Sequence, residues 1–177
     1  MKAALFALSA FLMINSSAFA DSAYITQSGN NGIVTISQTA MNGQNPNTIT
    51  VLQKTGSLSA NAEVTQNGEQ LSALVTQSGE NLSAFVTQSG TDNRATVNQS
   101  GLNNSGFVEQ HGTNDTVSLT QSGSSNRAYL YQSGTNDRAT IVQSGNFNNV
   151  DVKQYGNTRI FELNQTGNNS RSTVIQY

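Results

Sequence analysis

Aliphatic and polar side chains alternate along most of this chain, and the alternation restarts every eleven residues. Val75, Val86, Val97, Val108, Leu119, Leu130, Ile141, Val152, Leu163 and Val174 each stand two positions before a glutamine. Ile25, Ile36, Val51 and Val64 keep the same relation to Gln27, Gln38, Gln53 and Gln66. Alanine or valine often stands four positions before, as at Ala73, Ala84, Ala95, Val117, Ala128, Ala139 and Val150. Six before is Asn93, Asn104, Asn126 or Asn148. Residues two apart share one face of a β-strand. These positions therefore predict an inward face, and the mixed polar residues between them a solvent face.

The glutamine itself returns without a slip at Gln66, Gln77, Gln88, Gln99, Gln110, Gln121, Gln132, Gln143, Gln154, Gln165 and Gln176. All but the last are followed two residues later by glycine: Gly68, Gly79, Gly90, Gly101, Gly112, Gly123, Gly134, Gly145, Gly156 and Gly167. Stretches such as Ser89-Gly90-Thr91-Asp92 have turn chemistry, with glycine free to take positive φ. A fixed period over most of a chain marks stacked repeats. A helix is excluded, because its period is near 3.6 and each glycine would cost about 1 kcal/mol. The expected fold is all-β: a β-solenoid of stacked strand-turn-strand rungs, two eleven-residue strands to each 22-residue rung, in an amyloid-like cross-β arrangement. Twenty-two is preferred to 33 because it alternates Arg94 and Arg138 with Thr116, and Arg127 and Arg171 with Asn149. It also gathers Phe85, Phe107 and Tyr129 into one outward, exposed stripe. The longer spacings from Gln38 to Gln53, which hold Pro46, and from Gln53 to Gln66 read as enlarged turns.

Three segments follow. Residues 1–20 read as a signal peptide: Lys2, an apolar run from Ala3 to Ile14, and a small-x-small site at Ala18-Phe19-Ala20. They are expected to lie outside the fold of an exported mature chain that starts near Asp21. Residues 21–65 carry irregular repeats and residues 66–177 regular ones. Among 177 residues there is no cysteine, so no disulfide staples an exported chain. Without the leader, apolar residues fall to about 30%, below the usual globular level. The formal net charge of −2 argues against a nucleic-acid partner.

One rung offers few large apolar side chains, each giving about 1.5–3 kcal/mol on burial. Ordering its backbone costs about 1–2 kcal/mol per residue. A rung alone cannot fold, whereas stacked rungs add main-chain bonds and amide ladders. The strands at Tyr24-Ile25-Thr26-Gln27 and Ser172-Thr173-Val174-Ile175-Gln176 run almost to the ends of the mature chain, so the expected cap at each end is another copy.

The pattern Gln-x-Gly-x-x-Asn-x-Ala-x-x-x-Gln stands as Gln88-Gly90-Asn93-Ala95-Gln99 and as Gln121-Gly123-Asn126-Ala128-Gln132; Gln132-Gly134-Asp137-Ala139-Gln143 differs by Asp for Asn. It resembles the curlin repeat of bacterial curli fibres. The resemblance implies a secreted, self-assembling subunit of extracellular functional amyloid, supporting adhesion and biofilm matrix. The alternative it leaves open is a surface-tethered minor curlin that nucleates the major subunit. Implied partners are the chain itself, a sister curlin subunit, and an outer-membrane secretion pore with accessory factors. No cofactor or metal is implied.

The residues suggest no enzyme. His111, the single histidine, stands in a turn slot elsewhere held by serine, and no serine has a base beside it. A monomeric solenoid adhesin or ice binder is less supported, since the outward column reads Leu74, Thr96, Ser118, Thr140, Glu162. Asp115 and Asp137 stack in the asparagine column, followed by Arg159. Either they splay into solvent, or they lie inward and repel. In the second case one pKa rises, Arg159 compensates in part, and assembly is favoured below about pH 5.

Overall fold

The computed structural model describes residues 9–16, 21–40, 45–54 and 56–177. Fifteen β-strands follow one another, with no helix among the described residues. The first five are β1 (Ser9–Ser16), β2 (Ser22–Gln27), β3 (Ile33–Ala40), β4 (Thr48–Gln53) and β5 (Asn61–Glu69). Nine-residue strands follow: β6 (Ser72–Glu80), β7 (Ser83–Thr91), β8 (Arg94–Leu102), β9 (Ser105–Thr113), β10 (Thr116–Ser124), β11 (Arg127–Thr135), β12 (Arg138–Asn146), β13 (Asn149–Asn157) and β14 (Ile160–Asn168). The last is β15 (Arg171–Gln176).

The odd-numbered strands form one parallel sheet in sequence order, and the even-numbered strands from β2 to β14 form the other. Each strand thus pairs with the strand two further on, and one turn of the coil takes two strands. From β5 onward the register is 22, as in Ser83 opposite Ser105 and Arg94 opposite Thr116. Earlier it widens: Ile33 faces Asn61 and Ser22 faces Thr48. The additional residues sit in the enlarged turns that the spacing predicts. One of these, before β4, includes residues 41–44, which lie outside the described residues. In the other, Leu58 bridges Asn30 on one side and Glu80 on the other.

Two features differ from the sequence reading. The strands are longer and the corners tighter. Ser89, Gly90 and Thr91 keep ladder register with the next rung, and the chain reverses over Asp92 and Asn93. The glycine takes positive φ, as expected, but lies within the strand; the left-handed residue at the reversal is the one two positions later. Asn81, Asp92, Asn103, Asn114, Ser125, Asn136 and Asn169 all take left-handed φ between 53° and 61°. Asparagine and aspartate tolerate that region best among residues with a Cβ. The glycine meets a separate demand. A Cβ on Gly90 would run into the carbonyl oxygen of Gly112 one rung above.

The second difference concerns residues 1–20, which the sequence reading expects to lie outside the fold. Residues 1–8 and 17–20 lie outside the described residues, but the backbone of β1 pairs with β3 from Ser9 opposite Ile33 to Ser16 opposite Ala40. An unpaired parallel edge accepts an extended segment through main-chain groups alone, which is why sequence outside the repeat can extend the sheet.

The core is the slot between the sheets. The aliphatic residue and the residue two before it, for example Ala84 with Val86 and Ala128 with Leu130, are fully buried. At the outer rungs this breaks down: Ala23 and Ile25 on β2, and Phe161 and Leu163 on β14, are only partly covered.

Candidate functional site: buried amide ladders

Gln38, Gln66, Gln88, Gln110, Gln132 and Gln154 are all fully or almost fully buried along the odd sheet. Each is placed by the same register, inward and directly above the last. Nε2 of Gln66 donates to Oε1 of Gln88 at 2.8 Å, Gln88 to Gln110 at 2.8 Å, Gln110 to Gln132 at 2.9 Å, and Gln132 to Gln154 at 2.8 Å. Gln154 passes the ladder to Gln176 at 2.8 Å. The even sheet repeats it through Gln53, Gln77, Gln99, Gln121, Gln143 and Gln165, with spacings of 2.8–3.0 Å.

Most of these glutamines use their second N–H to tie the two sheets together. Gln88 donates to the carbonyl of Ser72, Gln99 to Ser83 and Gln121 to Ser105. A buried amide left unpaired costs about 1–3 kcal/mol, so each rung stabilises the next by supplying its acceptor. The glutamine-to-glutamine bonds also share one sense: each donates toward the next, C-terminal rung.

The asparagines stack at the corners. Nδ2 of Asn104 donates to the carbonyls of Ser100, at 2.8 Å, and Gly123, at 3.0 Å, while its Oδ1 accepts the backbone N–H of Asn126. Asn126 and Asn148 repeat this one and two rungs above. Across the coil, Asn93 donates to Ser89 and Gly112 and accepts from the N–H of Asp115. The six-before asparagines are thus joints, each bonding within its own turn and to the rung above.

Asp115 and Asp137 occupy this second corner column, and both are buried. Burial, chiefly, raises the Asp115 carboxyl to about 6; the charge of Asp137 adds to the rise and the backbone N–H of Asp137 opposes it.

On the outer face of the odd sheet, Phe85 and Phe107 stack at 4.8 Å with planes 6° apart. Tyr129 follows in register with Phe107. The stripe is half-buried rather than fully exposed. Arg127 stands 5.7 Å over the Phe107 ring and Lys153 5.9 Å over the Tyr129 ring. Sequence reasoning missed a second aromatic run, His111, Tyr131, Tyr155 and Tyr177, with consecutive centroids 5.4–5.7 Å apart. The 22-residue register could have found it, since His111, Tyr155 and Tyr177 fall in one column, with Tyr131 two residues before that column. His111 lies within β9 rather than in a turn, and its Nδ1 is 2.7 Å from Oγ of Ser89. No cluster of three metal-binding side chains occurs among the described residues.

Residues 59–90, 90–123 and 112–143 each match the curlin associated repeat. No curated protein and no solved structure matches the chain. With three such repeats wound into a solenoid of 22-residue rungs, the chain belongs to the curlin family.

Proposed function

We propose that this chain is a self-assembling structural subunit of an extracellular curli-type amyloid fibre, serving adhesion and biofilm matrix, and that residues 1–20 are its export signal. The observation that carries the reading is the amide ladder, which repeats in one sense along both sheets and with a 22-residue spacing over the regular rungs. A second copy stacked at a sheet edge would meet the same register it uses internally. The partly covered Ala23 and Ile25 at one end and Phe161 and Leu163 at the other support this, since each lacks the neighbour that buries its counterparts. At the β2–β3 end, the acceptor Oε1 atoms of Gln27 and Gln38 are buried without a partner, and the ladder step from Gln27 to Gln53 is not made. At the other end, Nε2 of Gln165 turns to Ser172 and that of Gln176 to a main-chain carbonyl. This arrangement favours head-to-tail stacking, with donors of one copy meeting acceptors of the next. Removal of the leader frees the β3 edge that β1 covers. Export through an outer-membrane pore and assembly with a sister curlin belong to the same reading.

The test is to purify the chain from residue 21 and leave it in buffer. Thioflavin-positive fibres with cross-β diffraction are expected, and a soluble monomer that persists for days overturns the proposal. The alternative, a tethered nucleator of the major subunit, is favoured by the glycine that follows the glutamine in every regular half-repeat. Catalytic amounts that start polymerisation of a sister subunit, with little fibre of its own, would establish that role instead.

A further inference from the structure

In the corner ladder, an asparagine makes three bonds. Its oxygen accepts an N–H from the rung above, and its nitrogen donates to two carbonyls, four residues back and nineteen residues on. Asp115 and Asp137 keep only the first part. Oδ1 of Asp115 accepts the N–H of Asp137 at 2.9 Å, and Oδ1 of Asp137 accepts the N–H of Arg159 at 2.7 Å. The remaining oxygen, Oδ2, is therefore left in the place of the amide nitrogen. In both residues it is buried without a partner. By the repeat, the carbonyls facing that place are those of His111 and Gly134 for Asp115, and of Ser133 and Gly156 for Asp137. A carbonyl only accepts, and so does an ionised carboxylate oxygen.

We propose that Asp115, with Asp137 stacked on it, is a proton-binding site built into the corner ladder, so that closing these rungs takes up a proton. The bound proton makes Oδ2 of Asp115 a donor to the carbonyls that asparagine serves elsewhere. Asp115 is the better holder of the two. Below it lies neutral Asn93, and above it Asp137; Asp137 has Arg159 as its upper neighbour. The other charged groups nearby are His111 on β9, Asp92 beside Asn93, and Arg94 and Arg138 at the starts of β8 and β12. Asp92, Arg94 and Arg138 point into solvent.

The raised value for Asp115 agrees with this geometry. A carboxyl that is more basic when folded favours the folded rungs fully below its unfolded value, near 4, and that advantage disappears as pH rises through about 6. The experiment measures seeded fibre growth between about pH 4 and 7. Wild type is expected to slow by about tenfold or more across this window. Asp115→Asn, which restores the amide donor, should grow at neutral pH about as fast as wild type does in acid. Two controls separate this from other titrations: Asp92→Asn removes an equal charge from the exposed corner, and His111→Ser removes the imidazole. Both should keep the wild-type slope. If Asp115→Asn keeps that slope, or Asp92→Asn abolishes it equally, the proposal is overturned. If no fibres form at any pH, the same comparison is made on strand formation by circular dichroism. Infrared spectra of the β-rich state at about pH 5, between the unfolded and folded values, add a direct reading, with a protonated carboxyl band expected in wild type and weaker in Asp115→Asn.

Discussion

A methyl group placed on Gly112 would run into the carbonyl oxygen of Gly134, while one on Gly106 would meet the end of the Leu119 side chain. The same substitution therefore has two outcomes. Gly112→Ala should cost about 3 kcal/mol, because backbone one rung away cannot yield and φ there is 141°. Gly106→Ala should stay within about 1 kcal/mol, because Leu119 can move and other rungs carry alanine at that position. Urea melting of the assembled state, compared for the two variants, checks the contrast. At this scale the sequence was legible where one residue meets one demand. Glutamine and asparagine had to be inward because they fall on the aliphatic parity. Glycine was legible in part: its positive φ was foreseen, but its place inside the strand, against a carbonyl of the rung above, was not.

Each corner needs one left-handed residue, and the ten regular corners do not fill it equally well. Most use Asn, Asp or Ser, but Phe147 has φ of 57° and Thr158 φ of 59°. A bulky or β-branched residue is strained there. Phe147 is also 62% exposed, so it recovers little by burial. Phe147→Asn should stabilise the corner between β12 and β13 by about 1 kcal/mol, visible as a higher urea midpoint than wild type. The elements themselves followed from parity and period, and their lengths did not. Ladder bonds extend a strand through polar residues and glycine alike, so turn-like composition at Ser89-Gly90-Thr91 does not end it. For the same reason β1 could not be foreseen: main-chain pairing to β3 asks nothing of the repeat.

The whole molecule has two unlike outer faces. The odd sheet carries Phe85, Phe107, Tyr129, Tyr131 and Tyr155, whereas the even sheet presents Ser78, Ser100, Ser122 and Ser144 in one column and Thr96, Ser118 and Thr140 in another. Apolar patches favour contact with other surfaces. If fibres form, the odd face should bundle them side by side. Replacing Phe85, Phe107 and Tyr129 together by threonine, a strand-compatible residue, should leave fibres intact but separate under the electron microscope; unchanged bundles would exclude the face. The stripe was legible because register alone defines it. Its partial cover by Arg127 and Lys153 was not, since that depends on side-chain reach between neighbouring rungs.

The single sense of the glutamine ladder has an electrical consequence. In a parallel sheet, main-chain bonds alternate in direction and their dipoles largely cancel. The side-chain amides do not alternate, and each polarises the next. One rung adds two such dipoles, and a longer stack adds more in proportion. A filament that continued the ladder would carry a permanent moment along its axis that grows with length, and an applied field would turn its two ends in opposite directions.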